Sequence, residues 1–549
     1  MTVRADARRW TSLIGAALGA RLAARAAHLD DAPWWARHAS RVQTAQLARL
    51  LRAARATEFG RAHGFARLLR LPRVGLVEAY RREVPVADWY AFREPLARMR
   101  EGAEPDVLWP GVVRDFAQTS GTTAGDKFIP VSREMMRSNF RASLDIFAHL
   151  IRRGVDPAEL FAGKALFIGG SSNVSISPRG IRTGDLSGLV TRLITWPLSE
   201  IYLPGARIAL MSDWTAKIDA MAHAVWDQDV RFVTGMPSWG IVLFQRILDI
   251  ARQRGIPARC LRDLWPNLHV FVHGGVNYAP FEPRVRQLWS GDTAGPDIPE
   301  RLELYPASEG FVAMQDEPAP GHARPSLRLN TDIGLFFEFV PIEEIDAPDA
   351  RAFTCDRVER GQRYVVVLST CAGLWRYILG DVVEFDSIPA PEGRLGRGAA
   401  PPRLRIVGRH RHFVNAFGEN LIVEHVERGV AQASAALGCV VGEFTAAPVY
   451  PAPGRRGALE LAVELASPGV DLAAFARAFD DAVKAQNVDY TTKRKDDLGM
   501  GPPVVTPLPP GTFHRWLASR GKLGGQHKCP RCANTRDIID SVLAAGRAP

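Results

Sequence analysis

The chain has 549 residues, of which 46% are hydrophobic and 23% charged, and this composition is that of a globular protein too long for one core. The formal charge of +10 could indicate nucleic acid or a membrane surface, but the basic residues are spread along the chain and no zinc-finger, bZIP, KH or RNP-type motif is evident. Six cysteines do not make a disulfide framework, and the lone Cys-x-x-Cys at 529–532 lacks a second ligand pair for zinc. We therefore expect at least two domains, a positive cleft for an anionic small molecule, and no nucleic-acid partner.

The first 105 or so residues are rich in Ala, Arg and Leu and predict a helical lead-in, with an amphipathic run at 44–56. Near the start, Trp10 begins an apolar stripe at helical spacing. Arg21 and Arg25 interrupt this stripe, so it predicts neither a membrane span nor a signal peptide. A helix docked on the main domain is the favoured interpretation, and a helix on a membrane surface is the alternative. We expect a cytoplasmic monomer without stable membrane insertion.

A loop of small residues, Ser-Gly-Thr-Thr-Ala-Gly-Asp-Lys at 120–127, lies between a strand-like run at 112–116 and a helix-like run at 132–150. Glycines let backbone N–H groups turn toward an anion, hydroxyl groups add donors, and lysine adds a compact charge. The spacing is not the Walker pattern, and an ordinary turn is the alternative. The pattern predicts a phosphate-binding loop built from Ser120, Gly121, Thr122, Thr123, Gly125 and Lys127.

The scarcity of lysine favours the phosphate interpretation of this loop. Of the 69 basic residues only eight are lysines, at positions 127, 164, 217, 484, 493, 495, 522 and 528. Lysine and arginine are not equivalent where a compact charge must reach a phosphoryl oxygen. A lysine inside this loop is therefore less easily explained as an accident of composition.

Four apolar runs predict buried strands, and each leads into a turn that contains Gly or Ser; they lie at 164–170, 231–236, 268–273 and 302–305. A long apolar helix at 241–250 follows the second of them. Strands that repeatedly end in such turns before helices predict a parallel sheet with a site along the carboxyl ends of its strands.

The pattern changes from residue 335, where strand-like runs at 336–340, 364–368, 382–385 and 404–407 follow one another without long helices. This spacing predicts an antiparallel sheet or a small barrel. After Arg409 the composition changes again, to a small α+β unit. The predicted fold class is therefore α/β, with a large N-terminal domain of α/β sheets plus a β-barrel-like part (residues 1–409) and a small α+β C-terminal domain (410–549).

Five pieces, in order along the chain, resemble the core motifs of the adenylate-forming (acyl-activating) superfamily. They are the loop at 120–127, Val-His-Gly-Gly at 272–275, Tyr-Pro-Ala-Ser-Glu at 305–309, Trp-Arg-Tyr-Ile-Leu-Gly-Asp at 375–381, and Ile-Val-Gly-Arg at 406–409. Within that superfamily the chain is most similar to the auxin-responsive acyl-acid amido synthetase family, as a bacterial relative. The pieces that carry this likeness are Thr-Gly-Met-Pro-Ser-Trp at 234–239, Arg-Tyr-x-Leu-Gly-Asp at 376–381, and Gly-Gly-Gln-His-Lys-Cys-Pro-Arg at 524–531.

The resemblance implies an ATP-dependent ligase that adenylates a carboxylic acid and transfers the acyl group to an amine, with an amino acid as the expected acceptor. ATP and Mg²⁺ are the implied cofactors. The loop at 120–127 would hold the β- and γ-phosphates, and Glu309 would hold Mg²⁺, since a hard cation prefers carboxylate oxygen. Asp381 would accept hydrogen bonds from the ribose hydroxyls. Arg409 would contact ribose or phosphate, or form an interdomain salt bridge.

For several other residues the resemblance implies a role, and a second interpretation stays open beside it. Tyr305 would stack on adenine or pack in the core, and Ser308 belongs to the same nucleotide-binding motif. Lys528 and Lys127 are the candidate catalytic residues; Lys528 is the expected mobile lysine at the α-phosphate, and Lys522 is its competitor. The acyl-pocket candidates, which as strand-end residues could equally be core, are Met236, Trp239, Gly274 and Gly275.

Three alternative functions stay open at this point. A thiol such as coenzyme A or a carrier protein could accept the acyl group in place of an amine. A non-catalytic protein would bind ATP without turnover, and the positive charge by itself suggests a nucleic-acid binder. The resemblance also implies a hinge between the two predicted domains, near residues 410–413.

Overall fold

A computed structural model describes residues 19–119, 127–169, 174–191, 200–211, 213–276, 278–279, 281–318, 325–391, 399–410, 413–419, 421–452, 455–465, 467, 469–520 and 529–547. Some predicted features lie outside these described residues. They are the first part of the N-terminal stripe, including Trp10, the loop at 120–126, and the two tail lysines Lys522 and Lys528.

The lead-in is helical, as expected. Residues 19–30 are helical, and further helices span Ala32–Ala54, Glu58–Ala62, Phe65–Leu68, Arg73–Glu83 and Trp89–Ala97, with a π-helical turn at Arg98–Gly102. Asp31 caps the longest of them by accepting a hydrogen bond from the Trp34 backbone N–H at 2.9 Å. Arg25, which interrupts the apolar stripe, forms ion pairs with Asp145 at 2.6 Å and Asp332 at 2.8 Å. The described end of the stripe is therefore docked on the main body.

The strands form two larger and two smaller sheets. In chain order they are β1 Asp115–Thr119, β2 Lys127–Val131, β3 Lys164–Ile168, β4 Ser175–Ile176, β5 Arg182–Gly184, β6 Tyr202–Leu203, β7 Val230–Gly235, β8 Val270–Gly274, β9 Glu300–Ala307, β10 Gly310–Gln315, β11 Leu327–Leu329, β12 Phe336–Pro341, β13 Arg363–Ser369, β14 Tyr377–Ser387, β15 Arg403–Arg409, β16 Phe413–Val414, β17 Leu421–Ile422, β18 Val441–Val449, β19 Ala458–Leu465 and β20 Val504–Leu508. The largest sheet has eleven strands in the order β12-β13-β14-β15-β11-β10-β9-β8-β7-β3-β6. The others are β2-β1-β5-β4, β18-β19-β20 and β16-β17.

The predicted parallel strands are confirmed. β3, β7, β8 and β9 are parallel neighbours in the large sheet. Three helices, Trp214–Val225, Pro237–Gln253 and Glu282–Ser290, pack together beside them around one apolar cluster. Because the carboxyl ends of parallel strands meet at one edge, the turns after β7, β8 and β9 come together there. The remaining helices of this half span Arg133–Arg152, Pro157–Phe161, Leu186–Thr191, Ala206–Ala209 and Leu261–Leu264.

The strands after residue 335 are antiparallel, but they do not form a body of their own. β10, β11, β15, β14, β13 and β12 continue the large sheet outward from β9, each antiparallel to its neighbour. Among the described strands no pairing closes this order into a ring. The antiparallel-sheet alternative is thus confirmed and the barrel-like part is not, because the alternation of apolar residues specifies a buried face but not which strand lies alongside.

The four-stranded sheet holds both ends of the predicted phosphate loop. β1 and β2 are antiparallel and pair Thr119 with Lys127, so the chain leaves and re-enters the sheet at neighbouring positions. β5 runs parallel to β1, with Gly184 opposite Ala117. Lys127 is therefore fixed in a strand, although the loop itself lies outside the described residues.

The C-terminal part has its own small sheet. β18 and β19 are antiparallel, β19 and β20 are parallel, and the helices span Val423–Leu437, Leu472–Lys484, Val488–Arg494, Thr512–Ser519 and Asp537–Arg547, with a 3₁₀ turn at Lys495–Asp497. Its apolar core includes Phe475 and Tyr490 and extends to Val276 and Phe281 of the larger part. The two parts therefore pack against each other.

The six cysteines are buried free thiols. In the described part of the chain, no three His, Cys, Asp or Glu side chains converge as metal ligands. None of the described helices combines the length and the apolar character needed to cross a lipid bilayer.

Candidate active site

Three residues of the predicted nucleotide site meet at the edge of the large sheet. The Tyr305 hydroxyl donates to Asp381 Oδ2 at 2.6 Å, and Arg409 Nε donates to Asp381 Oδ1 at 2.6 Å. β14 and β15 place Asp381 directly opposite Arg409, and Tyr305 reaches it from β9. A carboxylate offers about four acceptor positions, so Asp381 can accept further hydrogen bonds. Its orientation is fixed before any ligand binds.

The Tyr305 ring belongs to the core. It is 4% exposed and packs in the main apolar cluster, which favours the core alternative over stacking on adenine. Burial, and then the charge of Asp381, raise the pKa of the Tyr305 hydroxyl well above its ordinary value. Tyr305 therefore acts as a permanent donor that positions Asp381.

Glu309 forms the second centre of the site. With Ser308 it makes the turn between β9 and β10, and the buried Tyr377 side chain lies near it. Burial raises the pKa of the Glu309 carboxyl, while Lys127 and Arg409 nearby favour its ionised form. The fold thus gathers a desolvated carboxylate and two cations that are far apart in sequence.

A cavity of about 430 Å³ opens beside these groups. Lys127, Arg409 and the Gly380 backbone line it, together with Trp89 from the lead-in. Lys127 Nζ lies 5.9 Å from the centre of the Trp89 ring. The lining also includes aspartates at 88 and 346, and the two cations are the part of it that suits an anionic ligand. Sequence reasoning missed Trp89, because nothing in its local pattern marks it and only the folded chain brings it to Lys127.

The motif at 375–381 divides between the site and the core. Trp375 is fully buried, and Arg376 is 4% exposed and donates to Glu338 Oε2 at 2.8 Å. Arg376 also has a φ of 45°, which is uncommon for a residue with a side chain. Asp381 belongs to the charged cluster of the site, and residues 378–380 line the cavity. The motif therefore combines structural and site residues, a division that sequence spacing does not reveal.

The predicted acyl-pocket residues lie at the ends of β7 and β8. Gly275 has a φ of 82°, and a Cβ added there would lie 3.6 Å from Met236 Cγ. A Cβ on Gly274 would lie 2.6 Å from a carbonyl oxygen of β9, so close strand pairing requires this glycine. Trp239 is half-buried, with its ring centre 5.1 Å from that of Trp214. The structure brings Met236 and Gly275 together and assigns Gly274 to strand packing.

His273, in the motif at 272–275, belongs to the core beside the helices. It is 1% exposed, and its ring stacks on Tyr278 with centres 4.4 Å apart. Neither ring nitrogen has a hydrogen-bond partner among the described residues. Burial lowers the pKa of His273 well below its ordinary value of 6.5, so the side chain is neutral.

We expect His273→Phe to stabilise the protein by about 1 kcal/mol at neutral pH, because two unpaired buried nitrogens disappear while the aromatic stack is kept. The difference should grow as the pH falls below 6.5, where the unfolded His273 binds a proton and the folded one does not. Urea denaturation of both proteins at neutral and acidic pH measures this. A less stable variant would show that the imidazole has a partner in the folded protein.

Sequence models of one family match three parts of the chain. The GH3 family N-terminal domain matches residues 35–205, the GH3 family central domain 329–395, and the GH3 family C-terminal domain 424–537. Together they cover more than half of the chain. The protein belongs to the GH3 family. The resemblance to the auxin-responsive amido synthetases is thereby confirmed.

Relatives of this GH3 protein are plant enzymes. Indole-3-acetic acid-amido synthetase GH3.8 of Oryza sativa subsp. indica is 24% identical over 528 residues, which cover 84% of this chain and 84% of the relative. Indole-3-acetic acid-amido synthetase GH3.3 of Arabidopsis thaliana is 22% identical over 529 residues, covering 84% and 85%. A bacterial origin for this chain stays a prediction.

Solved structures have the same fold. The GH3.15 acyl acid amido synthetase is 18% identical and superposes with a TM-score of 0.55 over 93% of this chain and 94% of its own. Its complex with 2,4-DB gives a TM-score of 0.57. The mixed α/β architecture of the GH3 protein is therefore that of an acyl acid amido synthetase.

Six of the predicted site residues lie outside the described residues, so their roles stay predictions. They are Ser120, Gly121, Thr122, Thr123, Gly125 and Lys528.

Proposed function

We propose that this GH3 protein is an ATP-dependent acyl-acid amido synthetase, which adenylates a carboxylic acid and then joins the acyl group to the amine of an amino acid. One observation carries the proposal: Lys127, Glu309, Asp381 and Arg409 form a single cluster beside the 430 Å³ cavity. Its charges suit a nucleoside triphosphate. The names of the plant relatives, which are amido synthetases of indole-3-acetic acid, support the same reaction class.

In the proposed first step, a carboxylate oxygen of the acid bonds to the α-phosphorus of ATP. The bond from that phosphorus to the bridging oxygen breaks, and pyrophosphate leaves with the electron pair. Two anions must approach each other, and Lys127 and Arg409 face the cavity where their charge lowers this repulsion. We assign the β- and γ-phosphates to the loop at 120–125 and the α-phosphate to Lys528.

Glu309 is the residue we assign to Mg²⁺. Its carboxylate is desolvated and lies near Lys127 and Arg409, which line the cavity, and oxygen of this kind suits a hard cation. When bound, Mg²⁺ would neutralise charge on the phosphate oxygens. The residues present therefore fit the cofactor.

Asp381 is assigned to the ribose hydroxyls. Tyr305 and Arg409 each occupy one of its oxygens and fix the plane of the carboxylate. The acceptor positions that remain can take two hydroxyl donors without reorganisation.

In the proposed second step, the amine nitrogen attacks the acyl carbon, the bond from that carbon to the phosphate oxygen breaks, and AMP leaves. The nitrogen loses one proton to water as the amide forms. We assign Met236, Trp239 and Gly275 to the border of the acyl group. Met236 and Gly275 lie together at the carboxyl ends of β7 and β8, and Trp239 is in the first turn of the helix after β7.

We also propose that residues 1–409 and 410–549 act as two domains of a monomer, with the hinge at 410–413. The end of β15 at Arg409 and the separate sheet that follows support this division.

Carboxylate-dependent ATP–pyrophosphate exchange with Mg²⁺, measured over a panel of aryl and fatty acids, tests the first step. We expect exchange that requires one acid and falls at least about 100-fold in Lys528→Ala, since a preorganised cation at the α-phosphate is lost. Lys522→Ala should lose less, and the reverse order would assign the mobile lysine to position 522. Amide detection by mass spectrometry, with coenzyme A as the competing acceptor, tests the second step. ATP binding without exchange for any acid would overturn the proposal.

A further inference from the structure

Lys493 is a buried cation where the C-terminal part meets the larger part. It belongs to the helix Val488–Arg494 and is 4% exposed. Its Nζ lies 4.0 Å from the centre of the Trp239 ring and 5.6 Å from that of Trp214. Within the described part of the chain, Nζ forms no hydrogen bond and no ion pair. A buried ammonium whose three donors contact only aromatic faces retains unused hydrogen-bonding capacity.

The charges around Lys493 act at a distance. Burial lowers its pKa to about 8, against the opposing effect of Asp489, Asp185 and Glu419. The Glu419 carboxylate is already engaged by two backbone N–H groups of its own loop, at 2.6 and 3.2 Å. Burial raises the pKa of Asp185 to about 6, so it too is desolvated. The surrounding carboxylates thus attract the Lys493 ammonium without using its hydrogen-bond donors.

Lys493 lies at the active-site edge. Asp185 directly follows β5, which runs parallel to β1, the strand that leads into the loop at 120–126. A Cβ added to Gly418 would lie 2.7 Å from Met236 Cε and 3.3 Å from Lys493 Cε, so Met236 and Lys493 contact the same glycine. The Lys493 ammonium is therefore next to Met236, which is assigned to the acyl group. Lys493 belongs to the C-terminal part and Met236 to the larger part, and we call the contact between the two parts the seam.

We propose that Lys493 binds the carboxylate of the amino acid acceptor, an inference that rests on the proposed function. The acyl acid loses its charge when it is adenylated, so a fixed ammonium on that group would stabilise the ground state and not the transition state. The acceptor keeps its carboxylate from substrate to product, and a desolvated ammonium offers it charge-assisted hydrogen bonds. Trp239, which is half-buried, supplies apolar surface for the carbon skeleton.

The composition of the chain also marks Lys493. It is one of only eight lysines among 69 basic residues, the same argument that favours Lys127. Its neighbour Arg494 is the arginine that satisfies a buried carboxylate, through bonds to Asp480 at 2.8 Å on each oxygen. The helix therefore uses arginine for structure and places lysine at the seam.

The test separates the two half-reactions on the same protein. Lys493→Met, Lys493→Arg and the matched control Lys484→Met are compared with wild type. Lys484 is a partly exposed lysine of the same part, paired with Asp480 at 2.8 Å. Acid-dependent pyrophosphate exchange reports adenylation, and hydroxamate formation with hydroxylamine reports transfer to an acceptor without a carboxylate. Amide formation is then measured with each protein amino acid and with its decarboxylated amine, for example alanine and ethylamine.

We expect Lys493→Met to raise the KM for the amino acid by about 10- to 100-fold, the effect of losing a buried charge pair. Exchange, hydroxamate formation and turnover of the decarboxylated amine should stay within about twofold of wild type. Lys493→Arg should restore most of the affinity for the amino acid because it keeps the charge. It also provides a second variant in case Lys493→Met does not fold.

Two outcomes overturn the inference. Equal losses with the amino acid and the decarboxylated amine would give Lys493 a structural role. A raised KM for the acyl acid in the exchange assay would mean that Lys493 binds the carboxylate of the acyl acid and not that of the amino acid. Absence of exchange in the wild-type enzyme is a different result, because it would overturn the proposed adenylation itself.

Discussion

Glu309→Gln is expected to lower Mg²⁺-dependent pyrophosphate exchange by about 10²- to 10³-fold, because a neutral amide binds a hard cation far more weakly than a carboxylate. Glutamine has the same shape as glutamate, so the turn between β9 and β10 should keep its structure. Exchange is measured as a function of Mg²⁺ concentration, and raising the metal should recover part of the rate.

Glu94→Gln is the matched control. This glutamate lies on the lead-in helix Trp89–Ala97 with its side chain 73% exposed, and its loss should leave exchange unchanged. If Glu309→Gln exchanged within threefold of wild type at every Mg²⁺ concentration, Glu309 would not be the metal residue. The cluster around the cavity would then have to bind the phosphates through its cations alone.

Arg376→Met is expected to destabilise the protein by about 3–5 kcal/mol, because it leaves Glu338 as a buried charge with one partner fewer. Arg376 and Arg81 each donate to one oxygen of Glu338 at 2.8 Å, and the three side chains join the lead-in to β12 and β14. The shift in the midpoint of chemical denaturation measures the loss. Exchange per folded molecule should be unaffected, since this arginine does not reach the cavity.

Two further variants test that explanation. Arg137→Met removes an arginine that is 77% exposed on the helix Arg133–Arg152 and should change stability by less than about 0.5 kcal/mol. The double variant Glu338→Gln with Arg376→Met should recover part of the stability, because the charge is removed with its partner. A double variant that was less stable than Arg376→Met would mean that the cost is not electrostatic.

The resemblance at 375–381 shows how far a motif can be interpreted from sequence. It predicted Asp381 as a site residue, and the structure places Asp381 in contact with two other predicted residues, Tyr305 and Arg409. The same stretch contains Arg376, whose partner Glu338 is 38 residues away, and no local pattern indicates that pairing. Residues inside a motif are therefore not interchangeable as site candidates.

The sequence by itself determined the elements and the order of the motifs. Apolar runs and the turns after them are local properties, so β3, β7, β8 and β9 and the edge at which they end could be predicted. The order of the motifs indicated the adenylate-forming superfamily, and the pieces at 234–239, 376–381 and 524–531 indicated the amido synthetase family.

Only the tertiary structure decided which distant groups meet. It joined the antiparallel strands to the large sheet in place of a barrel, brought Trp89 to Lys127, and placed Lys493 on Trp239 across the seam. These contacts depend on strand order and on packing between layers, where the free energy comes from burying surfaces contributed by segments hundreds of residues apart. A local pattern predicts that a residue is buried, but only the fold determines which residues it packs against.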